Sequence, residues 1–196
     1  MGGGFPTVYP IDMNNGKLKF LTDVRAIRER ARKHMDQGAV TEGFKGDRQQ
    51  LIKVLNDALA TEIVCVFRYK FHYYEAAGLQ SKAVAEEFKE HAANEQTHVD
   101  KLAERISQLG GKPDFTPDSL TRRSFTEYKE SESLLDMIRE DLVAERIVID
   151  GYSEIIRWIG DSDPSTRRMI EGILADEEEH AHDLQNLLKG IETHSK

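Results

Sequence analysis

Four long stretches of this chain carry the three-four spacing of an amphipathic helix, and each sets a glutamate inside its own apolar stripe. The first stripe reads Leu51, Leu55, Ala58, Leu59, then Glu62, then Val66, Tyr69 and Tyr73. The second reads Val84, Phe88, His91, Glu95, His98, Leu102 and Ile106. The third gives Ile138, Leu142, Glu145, Ile149, Tyr152, Ile156 and Ile159. The fourth gives Ile170, Ile173, Leu174, Glu177, His180 or Ala181, Leu184 and Leu188. One glutamate at a stripe edge can snorkel to water. Four, each near mid-helix, need a common cause, because burying an unpaired carboxylate costs several kcal/mol unless a cation or a proton neutralises it. The basic side chains Arg68 and Arg146 read as lying off the seam.

The boundaries of the four helices follow from their caps. The first runs from about Asp47 to Ala76 and stops at Gly78; Ser81 can cap the second, which ends at Gly110, Gly111 and Pro113. The third runs from about Ser131 to Ile159, and Pro164 opens the fourth, which reaches about Leu188. Two of the turns are short, whereas residues 110–130 form a long polar connection. Such a segment of ~21 residues can span up to ~70 Å, against about 44 Å for a helix of ~29 residues. The predicted fold is all-α, a four-helix bundle with a long crossover between its second and third helices instead of up-down-up-down connectivity.

The two hairpins repeat one another. "TEIVCVFRY" (61–69) aligns with "AERIVIDGY" (144–152), each a Glu followed seven residues later by Tyr. "EQTHVDKL" (95–102) aligns with "EEEHAHDL" (177–184), each Glu-x-x-His. Glu62 and Glu95 are equidistant from the first turn, and Glu145 and Glu177 from the second, at ~16 residues or roughly 24 Å. The crossover therefore brings all four to one height at the centre of the bundle. Glu-x-x-His sets both side chains on one helical face, so Glu177 and His180 face inward while Glu178, Glu179 and His182 face solvent or a neighbouring subunit. Four carboxylates and two imidazoles suit divalent iron or manganese, and two divalent cations would balance the four negative charges.

The composition sets limits on the rest. A chain of 196 residues with 32% charged residues supports one core. Its net charge of −8 argues against nucleic-acid binding by the whole molecule. A single cysteine, Cys65, allows neither an intrachain disulfide nor a zinc ribbon, and fits a reducing cytoplasm. No run approaches the ~20 apolar residues of a membrane span, and "MGGGFPTVYP" lacks the basic and apolar regions of a secretory signal.

With these motifs, residues 47–190 resemble the bacterioferritins and their Dps-like relatives in the ferritin superfamily. The resemblance implies a ferritin-like di-iron bundle over 47–190, an N-terminal extension over 1–46 and a tail over 191–196. It implies that Glu62, Glu95, His98, Glu145, Glu177 and His180 are the six ferroxidase ligands, Glu95 and Glu177 bridging two irons and Glu62 and Glu145 terminal. Tyr69 and Tyr152 look like the family's tyrosines behind the ligands, Tyr152 equally an ordinary core aromatic. Asp141, Asn94 and Asp176 are candidates to orient ligand imidazoles or tyrosines. His91 shares the face of Glu95 and His98, and reads either as a ligand for a transient third metal or as a hydrogen-bonded seam histidine. Where bacterioferritins carry the haem-ligating Met this chain has Gln96, which implies no haem. No fifth helix follows the fourth, which points to a twelve-subunit cage over one of twenty-four. Cys65 lacks the second cysteine of some Dps-like proteins and reads as core packing.

The implied activity is oxidation of Fe(II) by O2 or H2O2, with ferric mineral stored in a homo-oligomeric, cytoplasmic cage. A di-metal oxidoreductase, such as a hydroxylase, peroxidase or manganese catalase, uses the same ligand set. A rubrerythrin-like enzyme would need cysteines this chain lacks. Residues 17–34, "KLKFLTDVRAIRERARKH", supply seven Lys or Arg against two acids. They read as a basic helix that binds DNA, as in Dps-like DNA-protecting proteins, or as one docked through Phe20, Leu21, Val24 and Ile27.

Overall fold

A computed structural model describes residues 23–76 and 81–194, the last three by backbone alone; residues 17–22, the opening "MGGG" and Gly78 lie outside the described residues. Among the described residues there are six α-helices and no strand: α1 (Val24–Lys33), α2 (Arg48–Glu75), α3 (Lys82–Gln108), α4 (Leu120–Arg123), α5 (Leu134–Ile159) and α6 (Pro164–His194). None is long and apolar enough to cross a membrane. The chain divides into two compact units between Glu42 and Gly43.

In the first unit, Asp23 caps α1 by accepting the Arg25 amide at 2.9 Å. The helix buries no side chain, and Val24 and Ile27 are exposed. Glu42 returns to pair with Arg30 at 3.4 Å and His34 at 3.0 Å.

In the second unit α2, α3, α5 and α6 form the bundle, α2 packing on α3 and α5, and α6 on α5 and α3. Three of the four starts have a side-chain cap. Asp47 accepts the Gln50 amide at 3.0 Å, Ser133 the Asp136 amide at 3.1 Å, and Asp163 the Thr166 amide at 3.1 Å behind Pro164. Ser81 takes the N-cap position of α3 but makes no capping bond, because its backbone is already helical (φ −95°, ψ −2°) instead of extended. At the far end of α3, Gly110 adopts φ +76°. There the Gly111 amide reaches Ile106 O and the Gly110 amide reaches Ser107 O, both at 2.9 Å, the Schellman closure that requires a left-handed residue. The fourth helix runs six residues past its expected end at Leu188, because Leu187, Leu188 and Ile191 still pack against the core around Phe88 and Leu184.

The crossover runs the length of α2. Asn56 Oδ1 accepts the Asp114 amide at 2.8 Å, Thr61 Oγ1 accepts the Phe125 amide at 2.9 Å, and Arg68 donates to Glu127 O at 3.2 Å. Arg123 ties the strap down by donating to Asn56 O at 2.6 Å. With neighbours on three sides, α2 is buried all round between Ala58 and Val66.

Candidate metal centre

The six predicted ligands meet. Glu62 from α2, Glu95 and His98 from α3, Glu145 from α5, and Glu177 and His180 from α6 are all buried. They form two groups of four, each with ligand atoms within 4.8 Å of one another: Glu62, Glu95, His98 and Glu177, and Glu95, Glu145, Glu177 and His180. Glu95 and Glu177 belong to both. Each imidazole turns Nδ1 inward, His98 to 3.0 Å from Glu177 Oε1 and His180 to 3.3 Å from Glu177 Oε2. Outward, His98 Nε2 meets Asp176 Oδ2 at 3.0 Å and His180 Nε2 meets the Asn94 amide at 3.3 Å.

This arrangement fits a pair of cations better than it fits itself. Glu62 Oε2, Glu95 Oε1, Glu145 Oε2, both Glu177 oxygens and His180 Nδ1 are buried without a hydrogen-bond partner, and orphaned polar atoms at such density are rare in folded proteins. Protons hold the charge down in the metal-free state. Burial, then the Glu177 and Glu95 charges, push Glu62 and Glu145 well above the usual carboxylate range. Burial works against a charged His98, but hydrogen bonding to Glu177, Glu62 and Glu95 outweighs it and lifts His98 far above its ordinary value. Burial is likewise outweighed at His180, which Glu177 and Glu95 raise to about 9. Burial would raise Glu95 too, yet hydrogen bonds with Glu62, His180 and His98 hold it well below the usual range. Cations entering here displace protons.

The tyrosines behind the ligands cross over. Tyr69 of α2 donates to Glu145 Oε1 on α5, and Tyr152 of α5 donates to Glu62 Oε1 on α2. Burial, then the Glu145 carboxylate for Tyr69 and the Glu62 carboxylate for Tyr152, keeps both phenols protonated. Each hairpin thus holds the lone glutamate of the other.

Two readings need correction. Arg68 is not off the seam: it is 1% exposed, and donates from Nε to Asp141 Oδ1 at 2.8 Å. Asp141 does not orient a ligand imidazole, because its second oxygen meets His72 Nδ1 at 2.8 Å and the residue is thereby committed to an Arg68–Asp141–His72 network beside the centre. The strap supplies Arg68 with the Glu127 carbonyl, so the guanidinium is satisfied without reaching the four glutamates. Reading α2 as a one-faced helix hid this network; the residue four before Glu145 was its only sequence signal. His91 is buried, its ring stacked on that of His180 with centroids 4.1 Å apart, and burial followed by the His180 charge pushes it down to about 3. Cys65 is buried and within 3.8 Å of Thr126. Gln96 is exposed on α3.

Four helices presenting two imidazoles and four carboxylates around a shared pair of glutamates define a di-metal carboxylate bundle. The ferritin-like domain matches residues 52–193, and the chain belongs to that family. It is 32% identical over 145 residues to the DNA protection during starvation protein 2 of Bacillus anthracis, covering 71% of this chain and 97% of that one. To the bacterioferritin of Desulfovibrio desulfuricans it is 26% identical over 147 residues, 74% of this chain and 78% of that one. The structure is similar to the dodecameric thioferritin of Bacteroides fragilis, a bacterioferritin-related protein, with a TM-score of 0.73 and 30% identity over 76% of this chain and 90% of that one.

Proposed function

We propose that this chain is a ferroxidase that stores iron in a homo-oligomeric cage. The observation that carries the reading is the pair of buried four-residue groups sharing Glu95 and Glu177. Two Fe(II) substrates would each take one group, with Glu95 and Glu177 bridging and Glu62 with His98, and Glu145 with His180, completing the two ends. Each Fe(II) loses one electron; H2O2 with two protons takes the pair to give two waters, or O2 with two protons takes it to give H2O2. The chain's own part is geometric and electrostatic. The tyrosines fix the lone glutamates, Asp176 and Asn94 fix the imidazoles, and apolar packing keeps bulk water out.

Similarity to a dodecameric thioferritin supports a cage of twelve subunits. Aerobic addition of excess Fe(II), size separation and iron counting test the whole reading. Tens of irons per chain on a large particle are expected; about two per chain on a small oligomer would overturn storage and turn attention to a di-metal oxidase or peroxidase. A second reading, DNA protection, rests on the basic face of α1, where Arg25, Arg28, Arg32 and Lys33 are exposed. It requires DNA binding that weakens steeply with salt and disappears when residues 1–46 are deleted.

A further inference from the structure

Helix α1 divides its apolar and basic residues more sharply than any helix of the bundle, yet it buries no side chain. Val24, Ile27 and Ala31 recur at the three-four spacing and share one stripe. Val24 is 48% exposed and Ile27 39%, and Met35, just past the helix, is 79% exposed. Arg28 and Arg32 run along one edge of the stripe with Arg25 beyond them, and Arg30 lies on the other edge. The ten residues hold five basic side chains against the single acid Glu29. The chain returns to Glu42 on the flank of Arg30 and His34, and so leaves the stripe open.

Stripe and edges together select a partner. A helix polar all round needs no apolar stripe, and one kept for packing would not leave Val24 and Ile27 in water. Duplex DNA would engage the arginines and leave the stripe exposed. An anionic lipid surface uses both features. Apolar side chains enter the boundary between headgroups and acyl chains, while arginines at the edges of the stripe reach the phosphates. The charge match is local: the chain as a whole carries −8 and would be repelled from such a surface, so attraction depends on the basic flank of α1.

We propose that α1 is an interfacial anchor that docks this chain on a membrane surface rich in anionic phospholipid. Val24, Ile27 and Ala31 face the acyl chains, and Arg25, Arg28 and Arg32 take the headgroup phosphates. The helix lies on the membrane and does not cross it, in keeping with the absence of any described helix long and apolar enough to span. One such helix is a weak anchor, but several on one particle hold far more firmly, because every contact after the first is intramolecular. That gain rests on the cage reading; the surface itself does not.

The test is sedimentation of the full chain with sucrose-loaded vesicles of phosphatidylcholine, with and without phosphatidylglycerol. Val24→Ser/Ile27→Ser keeps every charge, and Arg25→Gln/Arg28→Gln/Arg32→Gln keeps the stripe. Serine and glutamine are tolerated in helices and none of these positions is buried, so the bundle should melt as in the parent, which calorimetry checks. We expect the parent to bind only the vesicles that contain phosphatidylglycerol. The glutamine variant should bind them roughly a hundredfold more weakly, and the serine variant about tenfold more weakly. A parent that binds neither vesicle overturns the anchor. So does a serine variant that binds like the parent, since adsorption is then a matter of charge alone. Duplex DNA bound equally by parent and serine variant, with no vesicle binding, would overturn it in favour of the DNA reading. A small oligomer that binds the phosphatidylglycerol vesicles would sustain the anchor and defeat the cage reading instead.

Discussion

The α2–α3 and α5–α6 hairpins solve one problem twice and then diverge. Both place Glu and Tyr one heptad apart on the first helix and Glu-x-x-His on the second, and each tyrosine supports the other hairpin's glutamate. The divergence lies behind the ligands. His98 is backed by the carboxylate of Asp176, itself 3.4 Å from Lys101, whereas His180 is backed by the amide of Asn94. Beside Tyr69 stand Arg68, His72 and Asp141; the repeat puts Gly151, Ile155 and Ala58 at the matching places. There the strap uses the room instead: a Cβ on Gly151 would lie 3.0 Å from Phe125 Cδ2. Two cations of one kind would need equivalent shells, which accounts for the symmetry of the ligands. The surroundings lose it because a single crossover lies on one side only.

The strongest way to break this comparison is at the residues common to both halves. Glu95→Ala with Glu177→Ala should slow Fe(II) oxidation more than ~100-fold, since losing even the partners behind a ligand costs about 10–100-fold. The metal-free variant should melt lower than the parent at neutral pH, because His98 and His180 lose the carboxylates that pair with them. Stopped-flow absorbance and calorimetric melting read the two arms. A variant that oxidises at the parental rate would mean that the shared position is incidental.

Next comes the network that one hairpin has and the other lacks. Asp141→Ala leaves Arg68 charged and buried with a carbonyl but no anion, and should cost about 3–5 kcal/mol by denaturant unfolding. Gly151→Ala, on the opposite side, must push Phe125 aside and should cost less, about 1–3 kcal/mol. Reversal of that order would mean that the strap, not the ion pair, holds the α2–α5 contact.

A finer test exchanges the backing groups. With Nδ1 toward the glutamates, His98 Nε2 can give its proton to the Asp176 carboxylate, whereas His180 Nε2 faces the Nδ2 donor of Asn94, which accepts none. Asp176→Asn should weaken the His98 half about tenfold, and Asn94→Asp should tighten the His180 half by a similar factor, both by metal titration at fixed pH. Equal affinities in both variants would show that ligand orientation, which either group supplies, outweighs basicity. Affinity should fall as the pH drops below about 9 at His180, because protons then compete for the ligand.

How much of this was legible before the fold was known differs by element. The six ligands were readable because a buried charge interrupts a periodic stripe, and periodicity survives in a bare sequence. The crossover's length was readable, and the all-α architecture with it. The path of the crossover was not: Thr61 and Asn56 look like ordinary helix residues until the strap's amides find them. For the same reason Arg68 read as lying off the seam, because the third wall around α2 comes from a segment without periodicity.

The smallest effect expected concerns how the second hairpin is closed. Asp163 caps α6 and binds Arg105 of α3 through Nη2 at 2.8 Å, so one carboxylate holds both a helix start and a helix–helix contact. Burial would raise its pKa, but hydrogen bonds from Thr166 and Arg105 outweigh burial and hold it below the ordinary aspartate value. A depressed folded-state pKa means that the unfolded chain binds the proton more readily. The stabilisation is therefore present above the unfolded value near 3.8 and is lost as pH falls through the folded one. Asp163→Asn retains a capping oxygen and removes the charge, so it should cost about 1 kcal/mol at pH 7. That difference from the parent should vanish on acidification below the aspartate range. Urea unfolding of parent and variant across that range reads it directly. A pH-independent difference would assign the cost to lost hydrogen-bond geometry and leave Arg105 a spectator.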